Sequence, residues 1–439
     1  MLLFRKIEKL MKSKLTKKNS YTKKLSIKVD WKDLKDDYNK LFEKMKSNYT
    51  PPGGRKGKVF GVHLELFKKN YTANIEAQFA EDSISKYYKK ALDEKQLIPI
   101  NQGKILDLKF KQESNLEFDI EFEIKPEFKL PNYEKKYKIK ADKYISSDKD
   151  LEDALTDLQN RFSTMKEVDN GAKDGHYLQV DMQELDQGAP VIGKKMEKQY
   201  IRLGFGAFKD LALKNLLGAK KDDSKTINLD IKGNKIDYEI FVHKVEEQII
   251  PELNDEFAKT VDPSLKNIKE LKTKVDDNIK ANFETEHLKS INNSIVDFFV
   301  QKTKLDAPDS MIENYLNHLI ENNKAQQPNM TEEQENEIKD SSKDMAVMNI
   351  KWYLIKEQII NEVGIDVTND DFENRKKDLI EKDPQNAKNI KVFLKDSNNQ
   401  QKFFDDILNE KLFNHLKKFA SIKIIEKKSD ELRKMQEAQ

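Results

Sequence analysis

The chain has 439 residues, of which 36% are charged and only 37% hydrophobic, so one large compact core is excluded and small separate cores are expected. The formal charge is +2, which excludes wholesale coating of nucleic acid and leaves electrostatic docking to a local patch. Cysteine is absent, which rules out disulfides and thiol catalysis and fits a reducing compartment.

In chain order, residues 1–20 are basic without a clear partner face and read as a mobile tail. The start Met1-Leu2-Leu3-Phe4-Arg5-Lys6 has too short an apolar core for a secretory signal. Leu25, Ile27 and Val29 alternate with polar residues, as in a strand. Asp30 is a suitable N-cap for a helix carrying Leu34, Tyr38, Leu41, Phe42 and Met45 on one face. The run Pro51-Pro52-Gly53-Gly54-Arg55-Lys56-Gly57-Lys58-Val59 then forbids helix continuation and puts three cations on a loop tip. Such a cluster alone is most often only a solvated loop. A nucleotide-binding P-loop is excluded: three residues, not four, separate Gly53 from Gly57-Lys58, and Val59 replaces the magnesium-holding Ser or Thr. A second helix is expected from about Val62 to Leu92. Leu106, Leu108 and Phe110 follow, then a hairpin loop at 112–115 and strict alternation through Leu116, Phe118, Ile120, Phe122 and Ile124. Residues 21–125 therefore make an α+β lobe with a small antiparallel sheet.

Residues 126–147, with Pro126 and Pro131, read as an extended linker. From 148 to 247 a short helix (Leu151, Leu155, Leu158, Phe162) leads into strands near 177–182, 199–203, 227–231 and 236–245, with a helix at 208–217 between them. That is a second α+β domain. From 248 to 439 strand signals almost vanish and apolar residues recur at helical spacing, as in Met311, Tyr315 and Leu319 or Met345, Met348, Trp352, Ile355 and Ile359. Such stripes are more often core than binding surface, although methionine suits promiscuous apolar contact. No apolar run approaches the roughly 20 residues of a membrane span. The six histidines are scattered without metal-ligand spacing, and no carboxylate pair stands out as a catalytic dyad.

The assembled residues resemble the trigger factor family of ribosome-associated bacterial chaperones. The family's loop Gly-Phe-Arg-x-Gly-Lys appears as Gly53-Gly54-Arg55-Lys56-Gly57-Lys58. Phe122-Glu123-Ile124-Lys125-Pro126-Glu127-Phe128 also matches, as does Lys244-Val245-Glu246-Glu247 followed by Pro251-Glu252-Leu253-Asn254-Asp255-Glu256-Phe257. The resemblance runs from about Met11 to the C-terminus, and the ten residues before it read as an upstream-start artefact or a basic extension. It implies a multidomain, elongated α+β protein: an α+β ribosome-binding domain, an FKBP-like α+β domain and an all-α C-terminal arm domain. It also implies docking of Gly53, Gly54, Arg55, Lys56, Gly57 and Lys58 beside the nascent-chain exit of the large ribosomal subunit, where Arg55 and Lys56 meet rRNA phosphates or acidic side chains. The family's aromatic is missing at Gly54, which shifts docking towards charge.

Residues 148–247 take the place of the family's prolyl isomerase domain, which needs an aromatic-walled pocket for a twisted X-Pro amide. Asp181 is kept, but the expected aromatic is Met182, and Ala212 stands at the pocket floor. The flap after Ile231 looks deleted, and Tyr238 keeps one wall. We expect a degenerate pocket with little or no isomerase activity; a working isomerase on nascent chains is the alternative. The expected protein is thus a cytoplasmic, ATP-independent holdase without cofactor, metal or membrane association. Its partners are the large ribosomal subunit and unfolded polypeptides, with Met311, Tyr315, Met345, Met348 and Trp352 as client-contact candidates. The resemblance also admits a homodimer off the ribosome.

Overall fold

The computed structural model describes residues 11–231 and 234–431. The chain divides into two compact units, Met1–Ile139 with Asn292–Lys423, and Lys140–Ile291 with Ile424–Gln439. Each unit draws on separate stretches of chain, so the boundaries expected at 20, 125, 147 and 247 do not coincide with this division.

In the first unit, β1 (Lys12–Lys17) and β2 (Thr22–Val29) precede α1 (Trp31–Asn48), α2 (Val62–Lys95), β3 (Lys104–Lys109) and β4 (Leu116–Glu123). The strands form an antiparallel sheet ordered β1-β2-β4-β3, with Leu25 opposite Ile120 and Ile27 opposite Phe118. Alternation in β2 and β4 sends Leu25, Ile27, Val29, Leu116, Phe118, Ile120 and Phe122 into one core with Tyr38, Phe67, Ile75 and Phe79 from the two helices. Asp30 occupies the N-cap of α1, but its side chain makes no capping bond. The Trp31 N–H instead donates to Asn115 Oδ1 at 3.0 Å, so the β3–β4 turn satisfies the helix start.

The tail expected over residues 1–20 is corrected from residue 11 onward. Met11 is buried in the core, and Ser13 and Leu15 are half-buried while Lys12 and Lys14 face solvent. This is a lysine-masked alternation that becomes a strand only because β2 offers its edge. Residues 1–10, where the choice between Met1 and Met11 falls, lie outside the described residues.

The linker expected at 126–147 is likewise not simply extended. Tyr133, Tyr137, Ile139 and Ala141 are buried, and β5 (Tyr137–Ile145) pairs with β11 (Ala420–Lys428). The Tyr137 ring stacks on Phe298 at 4.5 Å between centroids, and its hydroxyl donates to the Leu416 carbonyl at 2.9 Å. The C-terminal region is therefore not all helix. The remaining helices of this unit are α7 (Asp309–Gln326), α8 (Glu332–Val363), α9 (Asn369–Lys382), α10 (Ala387–Phe393) and α11 (Ser397–Lys417), with α7 packed on α8. Thr331 and Gln334 close a reciprocal capping box at the start of α8.

In the second unit, α3 (Asp148–Arg161) starts with a Ser147–Asp150 capping box. It leads to β6 (Thr164–Glu167), β7 (Tyr177–Asp186), β8 (Ala189–Arg202), α4 (Asp210–Leu216), β9 (Ser224–Ile231) and β10 (Asn234–Ile249). The sheet is ordered β6-β10-β7-β8, with β9 also paired to β10. Ile231 and Asn234 are register partners at one end of the β9–β10 pairing. Leu155 on α3 packs with Phe257 and Ala258 of α5 (Asp255–Val261) and with Leu271 and Val275 of α6 (Ile268–Lys302).

Candidate functional site

The Gly53–Lys58 loop is a structured tip. After α1, Pro51 is buried and its carbonyl accepts the Gly54 N–H at 2.9 Å. The Lys58 N–H donates to the Arg55 carbonyl at 3.0 Å, and the Gly57 N–H donates to the Tyr49 carbonyl at 2.9 Å, closing the loop base. Gly57 has φ +74°, and a Cβ there would lie 2.9 Å from the Ser47 carbonyl oxygen, so this position needs glycine on both counts. Gly53, also at positive φ, faces open space. Val59 returns the chain to the core.

Arg55, Lys56 and Lys58 are exposed and form no ion pair among the described residues. This contrasts with lysines elsewhere in the lobe, where Lys24 meets Asp119 at 2.6 Å and Lys86 meets Asp37 at 2.8 Å. The tip thus offers three unneutralised cations on a backbone pinned at both ends. Below it lies a groove of about 490 Å³ lined by Leu41, Met45, Tyr49, Phe67 and Tyr71 among others.

The expected isomerase pocket is brought together in space but not as an open aromatic cleft. Met182, Ala212 and Tyr238 are all buried members of the sheet core, together with Leu178, Val180, Ile227 and Ile240. Asp181 lies next to Met182 on β7 and points to the other face. Its carboxylate accepts the Lys198 N–H at 2.9 Å, meets His243 Nε2 at 2.8 Å and Lys195 Nζ at 3.3 Å. Foremost the Lys198 N–H, then His243 and Lys195, hold its pKa down at about 2. A carboxylate so engaged is a structural clamp between β7, β8 and β10.

Asp181→Ala is therefore expected to lower stability by about 1–3 kcal/mol at pH 7. Because the folded pKa lies below the unfolded one, the wild-type advantage is complete above about pH 4 and fades as pH falls towards about 2. Denaturant unfolding across that range checks this; a cost that persisted unchanged in acid would refute the clamp.

The client-contact candidates divide. Met345 and Met348 on α8 are exposed, while Met311 and Tyr315 on α7 are half-buried. Tyr315 accepts a hydrogen bond from Asn349 Nδ2 at 2.8 Å, which ties α7 to α8. Trp352 stacks on Phe413 at 5.9 Å and serves packing. Sequence reasoning missed Phe60 and Val62, both strongly exposed beside the cationic loop. Among the described residues no cluster of His, Asp or Glu is arranged to hold a metal ion, and no helix is long and apolar enough to cross a membrane.

The family model described as "Bacterial trigger factor protein (TF)" matches residues 11–158, and that for the "Bacterial trigger factor protein (TF) C-terminus" matches residues 267–418. Proteins called "Trigger factor" from Bacillus mycoides (strain KBAB4) and Bacillus cereus (strain Q1) are each 27% identical over 368 residues, covering 79% of this chain and 86% of the relative. A solved structure titled "Promiscuous Substrate Recognition in Folding and Assembly Activities of the Trigger Factor Chaperone" is similar over 92% of this chain and 98% of that one, with 17% identity and a TM-score of 0.49.

Proposed function

The chain belongs to the bacterial trigger factor family, whose two models together match most of it, and on that premise we propose that Gly53–Lys58 docks it on the large ribosomal subunit beside the nascent-chain exit. As a family member it is a ribosome-associated chaperone that shields newly made polypeptide. The observation that carries the docking assignment is the tip itself: Arg55, Lys56 and Lys58 exposed and free of ion pairs on a hydrogen-bonded loop. Unneutralised cations on a fixed backbone meet phosphates or carboxylates with little ordering cost.

In this reading residues 21–125 form the docking domain, residues 148–247 a spacer or added binding surface, and residues 248–439 the client-binding arms. Met345 and Met348 supply exposed, adaptable apolar contact on those arms, with Met311, Tyr315 and Trp352 behind them. Contacts of this kind are weak and reversible, so clients leave and fold. The protein works in the cytoplasm without nucleotide or metal, and pairs as a homodimer when off the ribosome.

Isomerase catalysis is not part of the proposal. The burial of Met182, Ala212 and Tyr238, together with the clamped Asp181, supports a filled pocket. At stoichiometric amounts the protein should suppress aggregation of a denatured protein without nucleotide. At catalytic amounts it should leave proline-limited refolding at its spontaneous rate of tens to hundreds of seconds. Absence of suppression would remove the holdase reading, and acceleration like that of an active isomerase would restore the enzyme.

A further inference from the structure

We propose that His415 is a proton-operated latch: taking up a proton in mild acid, it loosens the end of α11 from the aromatic cluster it covers and bares those rings to unfolded polypeptide. The contact with polypeptide rests on the chaperone reading above, whereas the latch rests on the packing alone.

The cluster is built from four segments of one compact unit. Tyr133, on the short turn Tyr133–Lys135, is buried, and its ring lies 5.3 Å from Phe299 of α6, 5.8 Å from Phe419 and 6.3 Å from His415. Phe299 is fully buried and meets Trp352 of α8 at 6.3 Å, and Trp352 stacks on Phe413 of α11. Two hydrogen bonds fasten the helix end. The Tyr137 O–H donates to the Leu416 carbonyl at 2.9 Å, and the Tyr137 N–H donates to the Phe419 carbonyl at 3.1 Å.

His415 is the member of this cluster whose charge changes near neutral pH; burial pushes the Tyr133 and Tyr137 hydroxyls up, away from that range. Its Nε2 is buried with no hydrogen-bond partner among the described residues, and the Phe419 ring stands 5.3 Å away, tilted by 63°. A neutral imidazole fits a seat lined by rings. An imidazolium puts a charged N–H where no oxygen accepts it, a cost that contact with ring faces offsets only in part. The negative end of α11 favours a cation, but its Leu416 carbonyl is already taken by Tyr137.

Burial holds the His415 pKa below its ordinary value; Lys418 adds to this, and Glu134, beside Tyr133, opposes it. From α6 and α8 the cluster receives the rings of Phe299 and Trp352, and no charge on either helix acts on His415 among the described residues. Lys417 is lowered by burial too, so this helix end is a poor host for added charge. The closed form therefore takes up a proton less readily than the open one. Its grip is complete above about pH 6.5 and weakens as pH falls below that value.

Amide hydrogen exchange of the full-length protein, corrected for the intrinsic effect of pH, tests the latch. Protection of residues 133–137 and 413–419 is expected to fall at least about threefold between about pH 7.5 and about pH 5.5. In His415→Gln, which stays polar but takes up no proton, the fall should vanish. Lys418→Gln should shrink the fall and Glu134→Gln enlarge it, because these charges oppose and favour the imidazolium in the closed form. Binding of reduced, carboxymethylated α-lactalbumin should tighten over the same range in the parent and not in His415→Gln. An equal fall in parent and His415→Gln, or Lys418 and Glu134 variants that shift it the wrong way, overturns the latch. A fall confined to the parent with unchanged lactalbumin binding overturns the polypeptide contact. Lactalbumin left unbound by the parent at every pH removes the chaperone reading, and the exchange result still decides the latch.

Discussion

Replacing Arg55 and Lys56 together with alanine is expected to weaken ribosome binding about a hundredfold at roughly 0.1 M salt, with helix content unchanged. Two charge-assisted contacts at about 1.5 kcal/mol each account for that loss. Both side chains are exposed and neither forms an ion pair among the described residues, so removing them breaks nothing inside the lobe. The loop keeps its shape because it is held by main-chain bonds, from Gly54 to Pro51, Gly57 to Tyr49 and Lys58 to Arg55. Co-sedimentation at several salt concentrations measures the effect. The parent's affinity should fall steeply with salt and the variant's less so, since fewer charge contacts remain to be screened. Undiminished pelleting of the variant would detach the loop from ribosome docking.

The largest stability effect is expected from Phe67→Ala. Phe67 is fully buried and its ring meets Phe42 at 5.5 Å, Tyr49 at 5.2 Å and Tyr71 at 5.1 Å. Truncation removes the centre of this aromatic cluster and leaves a cavity beside an existing groove, for a loss of about 3–5 kcal/mol. Tyr49, whose carbonyl holds the Gly57 N–H, loses its packing partner, so ribosome affinity should fall as well. The chain contains two tryptophans, Trp31 and Trp352. In a Trp352→Phe background, Trp31 fluorescence reports urea unfolding of this lobe. A change below about 1 kcal/mol would contradict the packing described for α1 and α2.

Much of the first lobe was legible because its signals are local. The alternation from Leu116 to Ile124 survives any partner, since period two puts one face inward wherever the strand lands. The proline–glycine run at 51–57 ends α1 for steric reasons internal to the chain. The stripes of α7 and α8 mark helices whatever they pack on. The strand at Lys12–Lys17 was hidden by lysines, which are tolerated only because one face of β1 is wet. Asp30 was correctly placed, but its capping role passed to Asn115, a residue distant in sequence.

The candidate site residues divide in the same way. The cations of the tip could be named from sequence because cations beside forced turns must be exposed. Phe60 and Val62 could not, since an aromatic after a cationic turn is as easily buried as displayed. The fate of Met182 and Tyr238 depended on whether the sheet core closed over them. Composition is silent on that.

By itself the chain's order of residues determined its helices, its best strands, its exposed cationic turn and its kinship, all consequences of short-range sterics and periodic burial. Only the tertiary structure decided that Tyr137 seats against Phe298 and Leu416, that β5 takes a partner from the far end of the chain, and that compaction joins Met1–Ile139 to Asn292–Lys423. Those outcomes rest on which remote surface covers an apolar side chain. Burial is non-directional and has no signature in local sequence.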